Sequence, residues 1–118
     1  MKYIILFLFF ISFYIIYKKY DKIIYKDLYI DKSNIDGIGI FTKKNYNIND
    51  FIFTGIIDKN ITSLGRKINH SWNPNTYLKK ESNKYNIYAN KYITKFKELT
   101  MNYKNTPDFI RKPLDSYK

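Results

Sequence analysis

The apolar positions along the chain fall into two unlike regimes. Residues 3–17 read YIILFLFFISFYIIY, with Ser12 the single polar interruption. No face of this run is polar, which argues against a helix packed on a core. As a helix at about 1.5 Å per residue it would span about 22 Å, short of the roughly 30 Å hydrocarbon layer of a bilayer. Tyr3 and Tyr17 can sit in the interface, and Lys2, Lys18 and Lys19 can snorkel outward. The pattern predicts an N-terminal transmembrane helix or anchor over residues 1–19. A cleaved signal peptide would need small residues after the apolar run, but KKYDKIIYKD follows, without Ala, Gly or Ser. Lys18, Lys19, Lys22 and Lys26 outnumber Lys2 plus the amino terminus. The positive-inside tendency then predicts a single-pass membrane protein whose C-terminal part faces the cytoplasm. Two sequons, Asn60-Ile61-Thr62 and Asn69-His70-Ser71, offer a test, since a lumenal domain would expose them to glycosylation.

After a basic, tyrosine-rich linker at 20–29 the pattern changes to short runs. LYI, GIF, FIFTGII, NIYANKYI and ELTMNY have β-favouring letters, separated by breaks at 34–37, 45–50 and 73–75. There is no long amphipathic helix and no repeat. SLGRKIN, residues 63–69, has room for one helical turn. The reading is a mostly-β domain over residues 30–104 with a tail at 105–118.

Composition changes this picture mainly by exclusion. Lys, Ile, Asn and Tyr make up 65 of the 118 residues, Val is absent and Ala occurs once. Such a skew reflects a biased coding sequence, so lysine abundance and the net charge of +11 carry little weight alone. The lysines are scattered and only Arg66 and Arg111 are arginines. Base reading usually draws on arginine, so no specific nucleic-acid partner is expected. With no cysteine and one histidine, neither a disulfide nor a Cys- or His-based metal site is available.

Against this bias the rare letters stand out. Gly37 and Gly39 lie two apart before a β-like IF, a pair that permits positive φ or a close backbone approach. Alone they read as a bulge or tight turn, and no third glycine opens a helix as in a dinucleotide fingerprint. INHSWNPNTY, residues 68–77, holds the only His and the only Trp.

Three blocks together resemble the SET domain of protein-lysine methyltransferases, in that family's order, over residues 30 to about 104. KSNIDGIGIFTKKNYNINDFIF (32–53) is similar to Ser-x-x-x-Gly-x-Gly-x-Phe at Ser33, Gly37, Gly39 and Phe41. GRKINHSWNPN (65–75) is similar to Arg-Phe-Ile-Asn-His-Ser-Cys-x-Pro-Asn at Arg66, Ile68, Asn69, His70, Ser71, Pro74 and Asn75. NIYANKYITKFKELTMNY (86–103) resembles Ala-x-x-x-Ile-x-x-Gly-Glu-Glu-Leu-x-x-x-Tyr at Ala89, Ile93, Glu98, Leu99 and Tyr103. The length also resembles the compact viral members of the family.

The resemblance implies a SET fold of short curved strands with a pseudoknot-like C-terminal threading, which would bring Asn69 and Tyr103 together. It implies methyl transfer from S-adenosylmethionine to a lysine ε-amine of a protein substrate, with no metal. Gly37 and Gly39 would let the backbone approach the cofactor. Asn69 would bond its amino-acid end, and His70 would contribute mainly backbone near the adenine. Tyr103 would be the catalytic tyrosine, its hydroxyl beside the transferring methyl, and a phenol is neutral at physiological pH. Tyr46, Tyr88 or Phe109 would line a lysine channel, where aromatic walls favour a cation on an alkyl stem. The chain departs from the pattern at Phe96-Lys97 for Gly-Glu, at Asn49 for a glycine and at Trp72 for a cysteine. Only 13 residues separate Gly55 from Asn69, fewer than the family usually has. That shortening leaves a second reading, a non-catalytic SET-like binding module at a membrane.

Overall fold

A computed structural model describes residues 26–114. The anchor predicted for residues 1–19 lies outside the described residues, as do the first part of the linker and the last four residues of the tail. Among the described residues no helix is long and apolar enough to cross a membrane.

Among the described residues eight short strands carry the fold: β1 (Leu28–Lys32), β2 (Ile38–Thr42), β3 (Phe51–Ile57), β4 (Asn60–Ile61), β5 (Asn69–His70), β6 (Thr76–Glu81), β7 (Lys84–Ala89) and β8 (Thr100–Met101). A 3₁₀ turn at Tyr103–Asn105 follows. β1 and β2 form an antiparallel hairpin, β4-β3-β7-β6 a four-stranded antiparallel sheet, and β5 pairs with β8. IGIFT and FIFTGII are rich in β-favouring letters, and each strand buries consecutive positions, so both of its faces are largely covered. The β-run NIYANKYI splits: β7 ends at Ala89, and Ile93 only bridges Tyr46. The strand over TYLKKE is an element that its polar letters hide. It pairs along its whole length with β7, so tertiary pairing overrides weak β propensity there. Residues 63–67 form a turn in which Arg66 N–H donates to the Thr62 carbonyl, 3.1 Å, the single helical turn the sequence has room for.

Turn chemistry follows the letters except at Phe96, at Asp58-Lys59 and at Ser82, which takes φ 60°. Gly37 takes φ +50° and Asn49 φ 69°, positions suited to glycine and asparagine. Phe96 takes φ 72° where the family pattern has glycine, its ring exposed and set edge-on to Tyr29 at 6.4 Å. Asp58 and Lys59, both at positive φ, make the two-residue loop between β3 and β4, a geometry that normally selects Asn-Gly.

One core gathers residues from distant strands. Ile40, Ile68, Ile87, Ala89 and Leu99 are essentially fully buried, with Leu28, Tyr46, Phe53 and Ile93 around them. Burying each large aliphatic side chain is worth roughly 1.5–3 kcal/mol. Ala89, the chain's single alanine, is fully buried in this core.

The β5–β8 pair is parallel, Asn69 against Thr100 and His70 against Met101. A parallel pair cannot be closed by a hairpin; here the chain runs through β6, β7 and residues 90–99 before returning beside β5. The side chain of Asn75 clamps that return, donating to the Glu98 carbonyl at 2.8 Å and accepting from Thr100 N–H at 2.8 Å. Thr76 adds a hydroxyl bond to the Thr100 carbonyl at 2.6 Å. Asn75 is therefore more than a turn residue: it fixes β8 beside β5 and so fixes what β5 and β8 carry.

Candidate functional site

Four residues far apart in sequence meet at the end of β5. The Asn69 side-chain amide donates toward Ser33 Oγ (3.0 Å), Glu98 Oε2 (2.9 Å) and the carbonyls of Asp36 (3.1 Å) and Ile38 (3.0 Å). Ser33 Oγ donates to the Glu98 carboxylate at 2.8 and 2.9 Å and accepts from Ile35 N–H at 2.9 Å. Gly39 makes this packing possible, because a Cβ there would stand 2.3 Å from Glu98 Oε2 and 3.2 Å from Asn69 Nδ2. The close approach expected at Gly39 is thus made to the protein's own carboxylate, while Gly37, at positive φ with open space around it, serves the turn. Four oxygens around one NH₂ group also fix the amide orientation: Nδ2 faces the cluster, and Oδ1 faces away from it.

His70 lies on the other side of the strand alternation. Its ring is buried, and Nδ1 accepts the Tyr103 backbone N–H at 3.0 Å. Accepting requires an unprotonated Nδ1, and burial agrees by lowering the imidazole pKa below its ordinary value. Ser71 N–H turns toward β8, donating to the Met101 carbonyl at 3.0 Å. Alternation therefore turns the His70 peptide groups toward the opposite edge of β5. The His70 ring meets Trp72 edge-on at 4.4 Å and Tyr103 at 5.1 Å, a short aromatic ladder.

The two ends of the ladder face two cavities. Tyr103 lines a mainly apolar cavity of about 390 Å³ with Gly55, Ile68, Phe109 and both arginines, Arg66 and Arg111. The Tyr103 hydroxyl donates to the Ile68 carbonyl at 2.5 Å, one residue before Asn69. Trp72 lines a more open cavity of about 650 Å³ with Lys104, Asn105 and Asp108. Thr106 borders both cavities. Its hydroxyl donates to the Tyr103 carbonyl at 2.6 Å, and Lys112 folds the tail back onto the Thr106 carbonyl.

Of the residues expected at the site, Asn69, His70 and Tyr103 are brought together, and Gly39 touches the same cluster. Two channel assignments are corrected. Tyr46 is buried against Ile93 in the core, its phenol pKa pushed up to about 12 by burial and by Asp27 and Asp50. Tyr88 lies on the outer sheet, stacked on Tyr77 at 5.7 Å and bonded to Glu81. Phe109 alone of the three reaches the Tyr103 cavity. Sequence reading assigned no role to Ser33, Glu98 or the arginine pair, whose contacts span up to 65 positions. It treated Trp72 only as a lost cysteine, although its uniqueness was visible in the sequence; the structure leaves it 44 % exposed.

The residues present fit S-adenosylmethionine in chemical character. Asn69 Oδ1 is an acceptor suited to a cationic amino-acid end and the exposed Trp72 face suits a flat heterocycle, whereas the Glu98 carboxylate is taken up by Ser33 and Asn69. No group of His, Asp or Glu among the described residues could hold a metal ion.

Comparison with known proteins bears on this arrangement. Residues 54–104 match the family model described as SET domain, a span that includes Asn69, His70, Glu98 and Tyr103 and leaves out Gly37 and Gly39. The structure is similar to a crystal structure from Plasmodium falciparum described as a "putative histone methyltransferase". The TM-score is 0.54 at 24 % identity, covering 64 % of this chain and 90 % of that one. No curated protein matches the chain. The fold is SET-like, and the SET match falls on the segment that builds the β5–β8 junction.

Proposed function

We propose that the protein is a SET-type, S-adenosylmethionine-dependent protein-lysine N-methyltransferase, held at a membrane by residues 1–19 with its domain on the cytoplasmic side. The observation that supports this reading best is the Tyr103 hydroxyl on the wall of an apolar cavity, at the junction of the two SET motif blocks, beside a second cavity. When bound, S-adenosylmethionine supplies an electrophilic methyl group on a sulfonium. Trp72, Asn69 through Oδ1, and the His70 backbone would hold it. Tyr103 directs its proton to the Ile68 carbonyl, so its oxygen acts as acceptor toward an incoming amine and aligns the lone pair. The apolar wall from Ile68 to Phe109 excludes water and disfavours the charged ammonium, which must lose its proton before attack.

A second reading has one observation in its favour: the Asn69 amide hydrogens are already committed to the protein's own oxygens. On that reading the domain binds without catalysing. Two measurements on the full chain separate them. Transfer of a labelled methyl group to lysine, together with a rise in Tm on adding S-adenosylmethionine, supports the enzyme. A chain that gains no stability at millimolar cofactor and labels no lysine substrate is a binding module.

A further inference from the structure

The chain has two arginines, and both line the same cavity. Arg66 lies in the turn before β5 and Arg111 lies in the C-terminal tail, 45 positions apart. Each is exposed. Among the described residues neither guanidinium forms an ion pair, and no carboxylate lines the cavity they border. In a chain where lysine outnumbers arginine by nineteen to two, this convergence is not a product of the lysine bias.

Two unpaired guanidiniums beside an apolar cavity pose an electrostatic problem for any cationic occupant. A lysine side chain entering alone would meet like charge at the rim, in a setting less screened than bulk water. A carboxylate carried beside that lysine removes the problem, because planar guanidinium forks bind carboxylates in bidentate pairs. The cavity, about 390 Å³, exceeds one lysine side chain and leaves room at its mouth for a flanking group.

We infer that this cavity takes a lysine presented next to an acidic residue, with Arg66 and Arg111 reading the acid. The inference rests on the lysine-methyltransferase reading for its substrate class, but the binding it describes can be measured without catalysis. The test uses the full chain and two fluorescent peptides identical but for Glu or Gln on both sides of one lysine. Binding is read by anisotropy, and methyl transfer is followed separately. The expected result is about tenfold tighter binding of the Glu peptide, lost at high salt and abolished in R66Q/R111Q. In R66E/R111E the preference should pass to a peptide with flanking Lys. Because the wild-type comparison needs no variant, a misfolded variant does not spoil it.

Equal binding of the Glu and Gln peptides by the wild type overturns the inference, even if both are methylated and the proposed function stands. An arginine-dependent Glu preference without any methyl transfer upholds the inference and sinks the enzyme reading instead. Should neither peptide bind while a medium-chain fatty acid does, the arginines serve an amphiphile's carboxylate and the inference fails.

Discussion

Asn69 and its neighbour Ile68 anchor two regions of opposite character. The Asn69 side chain enters a polar cluster in which Ser33, Glu98 and two carbonyls take up its hydrogens, packed so closely that Gly39 can carry no Cβ. The Ile68 carbonyl receives Tyr103, at the edge of an apolar cavity lined by two arginines that have no carboxylate partner among the described residues. The first region is closed on itself; the second has apolar surface and charge left to offer. A ligand gains most where desolvation and charge are still unspent. Hydrogen bonds already satisfied within the protein hold the frame in place. So the motif letters Asn69 and Gly39 build the frame.

The largest effect should come from the open region. Tyr103→Phe removes the hydroxyl that aligns the amine and should lower methyl transfer about a hundredfold, as loss of orientation does. Stability should fall by only about 1 kcal/mol, the worth of one hydrogen bond. Steady-state methylation beside a denaturant melt checks both. Activity kept at wild-type level would remove Tyr103 from the site and erase the contrast.

The closed region should respond in the opposite way, in stability first. Gly39→Ala pushes a methyl group to within 2.3 Å of Glu98 Oε2 and should cost about 1–3 kcal/mol by overpacking. Glu98→Ala leaves Ser33 and Asn69 short of an acceptor and should cost about as much. The double variant should cost less than the sum, since removing the carboxylate makes room for the methyl group. Additive losses in urea melts would mean that Gly39 and Glu98 do not share one packing problem.

His70 lies between the regions and gives them a common pH dependence. Its folded pKa is lowered by burial, so below its ordinary value near 6.5 the unfolded chain takes up the proton first. Its contribution is therefore fully present above pH 6.5 and is lost as pH falls toward the lowered folded value. Protonation also ends the acceptance of Tyr103 N–H by Nδ1. Tm should drop as pH falls below about 6.5, and His70→Gln should flatten that drop. As the chain's single histidine, it leaves no other side chain of its kind to share the effect.

How much of this was legible in the sequence depends on distance along the chain. The strands at Ile38–Thr42 and Phe51–Ile57 follow from short β-favouring runs bounded by turn letters, and the turn at Gly37 from its letter. Asn69, His70 and Tyr103 were marked by motif, and the parallel β5–β8 pair joins their blocks. The partners of Asn69 were hidden, because Ser33 and Glu98 meet it across 36 and 29 positions and no local pattern encodes that. The strand Thr76–Glu81 was hidden too, since its Lys-Lys-Glu end favours pairing only when β7 lies alongside.

The smallest effect tests whether the open region depends on a rigid wall. The loop Asp58-Lys59 joins β3 to β4, and Gly55, Ile56 and Ile61 of these strands line the Tyr103 cavity. Lys59 holds φ 87°, which an L side chain adopts at a cost of roughly 1 kcal/mol. Lys59→Gly removes that strain and gives the loop the Asp-Gly pair a type I′ turn prefers. Gain of steric freedom is partly offset by the larger entropy of glycine in the unfolded chain. The net should be a gain of about 0.5 kcal/mol, read as a small rise in urea midpoint with an unchanged slope. Methyl transfer should stay the same, because the substitution relieves strain in a loop behind a wall that is already formed. A rise in activity would show instead that the wall opens during turnover, and that the cavity beside Tyr103 is one state of a moving hairpin.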